Sequence, residues 1–507
     1  MSLATALYGW RASAAASGPP GAAGHDGPPG AGGTFAPEQG EGVSTELGVP
    51  MAMKLAFVFA LAAMTLFDRF GLRVSAAYSV SPGLVALYVV VAVLLFKNLA
   101  RLSLRGAALY VGIVTIACLS FMVNYTLDVR QLASLGSMAL LCVLYLPVVL
   151  EVRPEFDTAA WWRWFMRAYI VFAAILAVCG IVQFYAQFVV RVPWLFDFTE
   201  YIPIAIRGSG EYNTTNHADT VIKSNGFFLR EASGFSFIMA FALICEWSFF
   251  KRKWLMALFV MGVVVSYSGS GPVTLLLALF FPFGRQTVMR VVGVLAAAVA
   301  FYLLFGEALN LNYTLGRVSE FTSPYSSAYC RFISPAKVVA DQIESQSWAA
   351  LLGHGPGTTQ KLSGACETTY GKVMFEYGIV GWLAFFALIL SAVTRSWMPT
   401  RLRAALVFQW YMLGGNLLAP EALLQIFLLS AMWPRRAAQA EPGAAGGESA
   451  GQGALAGSTA AGAPDAPGAP TAPTASAGAA DTSAAGTRNS AAPRTETSMS
   501  PTASAST

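Results

Sequence analysis

The sequence predicts an all-α polytopic membrane protein of about twelve transmembrane helices, with two large extracytoplasmic loops and disordered termini. Three observations carry that reading. Only 12% of the 507 residues are charged against 56% hydrophobic, the mean hydropathy is +0.56, and a soluble surface needs about twice that charge. Long stretches lack Asp, Glu, Lys and Arg altogether, and roughly 20 apolar residues cover the hydrocarbon of a bilayer. The short loops between them are basic.

The two ends are a different kind of polymer. Residues 1–50 are rich in Gly and Pro from residue 12 onward and contain no apolar core of a secretory signal. Met51-Ala-Met-Lys stands directly before the first apolar stretch, so a native start near Met51 or Met53 is expected. In residues 437–507, 59 of 71 positions are Ala, Gly, Pro, Ser or Thr and none is aromatic, a composition that cannot build a core and predicts a disordered cytoplasmic tail. The membrane domain is therefore residues 51–436.

Charge-free runs give the spans in order. The first is Leu55–Phe67, which can extend back past Lys54 by snorkelling. Val74–Phe96, Gly106–Leu127, Leu132–Leu150 and Ala168–Val190 follow, then Ser233–Phe250 with Glu246 in its last turn. Trp254–Phe283 is too long for one helix and carries Ser-Gly-Ser-Gly-Pro at 268–272, which reads as a hairpin of two. Val291–Gly306 and Tyr377–Thr394 are single spans. Ala404–Trp433 is again overlong and is broken between Asn416 and Glu421, where Pro420 lies. The count is twelve.

Basic residues orient the set, because cytoplasmic loops concentrate Lys and Arg. Lys97, Arg101 and Arg105, then Arg153, Arg163 and Arg167, then Lys251, Arg252 and Lys253 fall on one side. Arg285 and Arg290, then Arg395, Arg401 and Arg403, and finally Arg435 and Arg436 join them when both overlong stretches are hairpins. Both termini are then cytoplasmic, and two large loops, 191–231 and 307–372, lie outside, where function is expected.

The outer loops hold the candidate chemistry. In the first, Arg207 and Lys223 precede Arg230 and Glu231, which stand at the edge of a span, where a cation can meet a lipid-linked phosphate or anchor the helix at the headgroups. In the second are Arg317, Arg331, a Gly-His-Gly-Pro-Gly turn around His354, and Glu367. His354 titrates near neutral pH and Glu367 is a candidate general base, while Glu376 could cap a helix or face a cavity. Cys118, Cys142, Cys179 and Cys245 lie in spans as small packing residues. Cys330 and Cys366 share the second outer loop, where an oxidising compartment permits a disulfide, two free thiols being the alternative.

Other function classes lack their signals. The sequence has no phosphate-binding Walker loop, no Gly-x-Gly-x-x-Gly, no His-Glu-x-x-His and no Cys-x-x-Cys, so nothing local supports nucleotide hydrolysis or zinc chemistry. The scarcity of charge within the spans also argues against an ion-coupled transporter.

Four segments on this topology carry a resemblance: Ser-Asn-Gly-Phe-Phe-Leu-Arg-Glu-Ala-Ser-Gly-Phe at 224–235, Ser-x-Ser-Gly at 268–271, Leu-Gly-His-Gly-Pro-Gly at 352–357 and Glu-Tyr-Gly-Ile-Val-Gly at 376–381. Over roughly 55–434 the chain resembles the O-antigen ligase and Wzy-type polysaccharide polymerase superfamily of bacterial envelope enzymes. The resemblance implies a glycosyltransferase of the inner membrane, active on its periplasmic face, that moves a glycan from undecaprenyl diphosphate to a sugar hydroxyl. It implies cations for the diphosphate, with Arg230, Arg207 and Arg331 as candidates, and a base for the hydroxyl, with Glu367 or His354 as candidates. No cofactor or metal is expected. The partners are the lipid-linked donor and acceptor, the bilayer and a chain-length co-polymerase, with no nucleic acid.

Two departures favour a polymerase of exopolysaccharide, capsule or O-antigen over a ligase. Ligases commonly carry an arginine in the hairpin where this chain has Gly269, and a His-Asn pair where it has Glu367-Thr368. The alternatives are a ligase that acts on lipid A core or protein and, from another class, a flippase for a lipid-linked sugar.

Overall fold

The computed structural model describes residues 50–74, 79–127, 132–153, 158–190, 192–208, 216–217, 221–281, 284–307, 321–324, 326, 328–344, 347–362, 368–395, 398–413 and 417–433. The terminal segments 1–49 and 434–507 lie outside them, as do Arg317, Cys366 and Glu367.

Helices dominate. In chain order they are α1 (Met51–Thr65), α2 (Pro82–Phe96), α3 (Leu104–Leu127), α4 (Leu135–Tyr145), α5 (Thr158–Ala186), α6 (Ala232–Cys245), α7 (Lys253–Val265), α8 (Ser270–Leu279) and α9 (Arg285–Phe305). The second large loop region contributes α10 (Ser334–Glu344), α11 (Trp348–Leu352) and α12 (Thr359–Leu362), followed by α13 (Thr369–Arg395), α14 (Thr400–Phe408) and α15 (Pro420–Ile426). Among the described residues, strands form three two-stranded antiparallel ribbons and no closed sheet. Among the described residues, five helices are long and apolar enough to cross a membrane: Leu104–Thr126, Ala160–Ala186, Ala232–Phe250, Arg285–Phe305 and Thr369–Thr394. Six further apolar helices are shorter. The protein is thus a helical membrane protein.

Several boundaries differ from the sequence reading for local reasons. The span expected from Val74 becomes a helix only at Pro82. Leu72–Arg73 pairs with Ser79–Val80 first, then Ser81 Oγ accepts the Leu84 N–H at 3.3 Å and Pro82 occupies the first turn, where a missing N–H costs nothing. The segment 151–167 with Arg153, Arg163 and Arg167, expected as an inner loop, is a strand at one end and a helix at the other. Leu150–Val152 pairs with Ala100–Leu102, and α5 begins at Thr158, ten residues before the expected span, because Trp161, Trp162, Phe165 and Met166 are buried in the core.

Both overlong stretches fold back. The break after α7 is fastened to the start of α6: Ser270 Oγ donates to Ser233 O at 2.8 Å, Gly271 N–H to Ser236 Oγ at 3.2 Å, and Ser224 N–H to Val265 O at 3.2 Å. Just beyond the far end of α8, Phe281 O accepts from Arg401 Nε at 2.8 Å, and that guanidinium lies over Trp247, one turn past the other end of α6. The chain therefore runs the length of α6 twice. In the last stretch, Gln409 Nε2 donates to Gln425 Oε1 at 3.0 Å across the fold-back.

The core is aromatic. Tyr145 meets Phe385 and Trp410 edge to face at 5.3 and 6.3 Å, and Tyr169 meets Phe241 at 5.6 Å. Such pairs add roughly 0.5–1.5 kcal/mol each beyond burial. Arg69 is fully buried among the largest side chains of this core.

Candidate functional site

The start of α6 is where the two large loops meet. The segment before it is fixed by Gln183, a buried polar residue near the end of α5. Gln183 Oε1 accepts from the backbone N–H groups of Asn225 and Phe227 at 3.1 and 3.3 Å and from Ser224 Oγ at 2.9 Å. Gly226 makes the turn at φ 72°, and a Cβ there would press on the Phe235 ring at 2.7 Å.

From the end of α1, Arg69 clamps the same segment. Its Nε and Nη2 donate to Leu229 O at 3.2 and 3.0 Å, Nη2 also to Phe196 O at 2.9 Å, and Nη1 to Asp197 Oδ1 at 3.0 Å. Its cation also lies 4.7 Å from the Phe198 ring centre. With every direction of the guanidinium used, Arg69 holds shape.

Its neighbour Asp68 positions Arg230. Asp68 Oδ2 accepts the Arg230 backbone N–H at 3.0 Å, and Arg230 Nε donates to Asp68 O at 2.8 Å. The Arg230 side chain stays a quarter exposed and passes beside Gly208, where a Cβ would lie 2.7 Å from Nη2. Burial pushes the Asp68 carboxyl above its ordinary range and Glu231 adds to this, while Arg230 and Arg69 pull the other way.

The second large loop arrives through a π-helical turn, Tyr329–Ile333. Arg331 Nη2 on that turn stands 3.8 Å from Glu231 Oε2, which also accepts from Ser233 Oγ at 2.6 Å. From α15, Glu421 packs its carboxyl against Gly83, close enough to Asp68 and Arg230 for each to act on its charge. Its Oε1 is buried without a hydrogen-bond partner among the described residues. The result is two arginines, Arg230 and Arg331, among three carboxylates.

The other expected residues are placed differently. Arg207 turns back on its own loop, donating from Nε and Nη2 to Ile202 O and from Nη2 to Glu200 O at 2.9–3.1 Å. His354 packs against Phe375, ring centres 4.5 Å apart and the planes tilted by 36°. That contact is five residues along α13 from Tyr370, whose hydroxyl reaches Phe332 O at 3.5 Å beside Arg331. Cys330 is disulfide-bonded, whereas Cys118, Cys142, Cys179 and Cys245 are free. Glu376 is fully buried, with Oε1 accepting from Thr359 Oγ1 at 2.9 Å and ion-paired with Lys372 Nζ at 3.9 Å.

The glycines around His354 serve the backbone. His354 and Gly355 N–H donate to Phe375 O and Glu376 O at 2.8 and 3.0 Å, and Asn124 Nδ2 to Gly353 O at 3.0 Å. Gly353 (φ 74°, ψ −176°) and Gly378 (φ 66°, ψ −170°) both occupy a region open essentially to glycine alone. A Cβ on Gly353 would collide with the Glu376 backbone, and one on Gly378 with Leu351 O.

Asp68, Arg69, Asp197 and Glu421 were not singled out as site residues from the sequence. A signal existed for the first two, since Asp68-Arg69 is the charged pair directly after the first apolar run. Glu421 had a weaker one, an acid in the turn of the last fold-back.

No cluster of His, Cys, Asp or Glu suited to a metal occurs among the described residues. No model of a known protein family matches the chain, and no curated protein matches it, so the functional reading rests on this arrangement of side chains.

Proposed function

We propose that the chain is a twelve-span inner-membrane glycan polymerase, active at the periplasmic end of α6, that transfers an undecaprenyl-diphosphate-linked glycan to a sugar hydroxyl of another lipid-linked repeat unit. One observation carries this reading above the others: at the edge of an apolar helix Arg331 stands 3.8 Å from Glu231, while Arg230, from the other large loop and one residue before Glu231 in the chain, is paired with Asp68. A lipid-anchored diphosphate needs cations at that depth.

In the transfer, the acceptor oxygen bonds to the anomeric carbon as the carbon–oxygen bond to diphosphate breaks. The diphosphate leaves with the electron pair. Arg230, braced by Asp68, and Arg331 meet its growing charge, each charge-assisted hydrogen bond contributing about 1.5–3 kcal/mol. The hydroxyl proton passes to a base. Glu231 is about half exposed and lies at the arginines, and a diphosphate that draws Arg331 away would leave it free to accept. It thereby joins Glu367 and His354 as a candidate.

Deletion of the gene should leave single lipid-linked repeat units and no long polymer, and restoring the wild-type chain should return the ladder. Unchanged polymer would refute the proposal. Long chains retained on the carrier would instead indicate a ligase, and substrate trapped on the cytoplasmic face a flippase.

A further inference from the structure

At the opposite end of α6 the helix continues as a π-helical turn, Glu246–Phe250. Its carboxylate, Glu246, is fully buried, and both oxygens are taken by Arg252 at 2.7 Å. Two aromatic residues of this turn each carry a cation from another helix. The guanidinium of Arg401, from α14, lies 4.7 Å from the Trp247 ring centre, and that of Arg167, from α5, lies 5.9 Å from Phe250.

Arg401 is held in place by its hydrogen bond to Phe281 O, three residues before the Gly284 that opens α9. Arg290, exposed on the second turn of α9, stands close enough to act on it. Burial draws the Arg401 guanidinium below its ordinary range and the Arg290 charge adds to this. Among the described residues, neither Arg167, Arg290 nor Arg401 has a carboxylate partner. Lys251 and Lys253 are exposed beside them.

Like charges side by side, one of them fixed on an aromatic face, at the end of membrane-crossing helices, suit an anion that arrives with its own apolar tails. We infer that Arg290 and Arg401, backed by Trp247, form a headgroup site for the phosphate of an anionic phospholipid. Guanidinium binds phosphate through paired N–H groups, the indole lies at the depth that aromatic belts favour, and basic pockets between helices on this kind of face take anionic headgroups. A free phosphate has no tails to fill the exposed apolar flank of α9, where Met289, Val292 and Leu295 stand open. The site is independent of the chemistry proposed at the other end of α6.

The test uses the full chain in detergent, titrated with phosphatidylglycerol, phosphatidylcholine or inorganic phosphate and read by native mass spectrometry. Phosphatidylglycerol should be retained and phosphatidylcholine lost. A basic residue near an anionic surface contributes about 1 kcal/mol, or about fivefold, so Arg290→Ala should weaken retention about fivefold and the double variant with Arg401→Ala about 25-fold. Arg105→Ala, at the start of α3, should leave it unchanged. Because Arg290 is exposed, its single variant carries the test even if loss of Arg401 impairs folding. Equal retention in Arg290→Ala and wild type, equal retention of the two lipids, or displacement of the lipid by equimolar inorganic phosphate would each overturn the proposal.

Discussion

Arg230 and Arg69 differ in how far their guanidinium groups reach solvent. Arg69 has spent its donors on Leu229, Phe196 and Asp197, whereas Arg230 has a quarter of its side chain in solvent. Arg230→Ala should therefore lower polymer formation about ten- to a hundredfold with normal protein level, measured as chain length on extracted glycan; wild-type chains would remove it from the mechanism. Arg69→Ala should act on stability instead, by on the order of 3 kcal/mol, because two carbonyls and Asp197 lose their partner together. Thermal unfolding in detergent would separate the two. Asp68 supplies a pH signature. Its folded-state carboxyl titrates above its ordinary value near 3.8, so the folded chain binds the proton more tightly than the unfolded one. That stabilisation is present at low pH and is lost as pH rises through the elevated range. Asp68→Asn should flatten this part of the stability profile, and an unaltered profile would show that the carboxyl is not the source. The sequence disclosed Arg230, Glu231 and Arg331 as types at the membrane edge. It could not disclose that Arg207 folds back on Ile202 and Glu200, since a cation in a loop looks the same whether it is satisfied locally or not.

Among the elements, the apolar runs were legible and their ends were not. The fold-backs at Ser266–Gly269 and before Pro420 follow from turn residues inside stretches too long for one helix. The early start of α5 does not, because Arg163 and Arg167 make that segment look like a loop, while its buried Trp161, Trp162 and Phe165 keep it helical. The lock between α11 and α13 does not follow from the sequence either, because a glycine-rich turn does not disclose that Gly353 lies against the Glu376 backbone and Gly355 against Ala133 and Asn124. Gly353→Ala and Gly378→Ala should each destabilise the fold by about 1–3 kcal/mol or more, seen as a lower unfolding temperature; Gly269→Ala, whose Cβ would meet nothing within 4 Å, is the neutral comparison. Equal behaviour of all three would mean that the lock contributes little.

For the molecule as a whole, composition alone gave the solvent, since no arrangement of 12% charge could cover a soluble surface of this size. The positions of the basic residues gave an expected orientation, and the structure gathers Arg230 and Arg331 at one end of α6 and Arg167, Arg252 and Arg401 at the other. Single cysteines placed in a chain without exposed thiols should report this directly. Those at positions 105, 167 and 290 should react with an impermeant reagent only after the inner face is opened, and those at 206 and 324 without it; mixed labelling would overturn the twelve-span arrangement. The site was harder to read than the topology because its members, Asp68, Arg230, Arg331 and Glu421, are separated by up to 353 residues of chain and share no local spacing.

The interlock of Gly353 with Gly378 bears on how such proteins are recognised from one another. Its two short motifs serve the close approach of one backbone to another, a task that does not depend on what is made or moved nearby. A shared Gly-His-Gly-Pro-Gly and Glu-Tyr-Gly would therefore mark common ancestry of a scaffold, and two enzymes that agree there could still differ in every atom of their substrates.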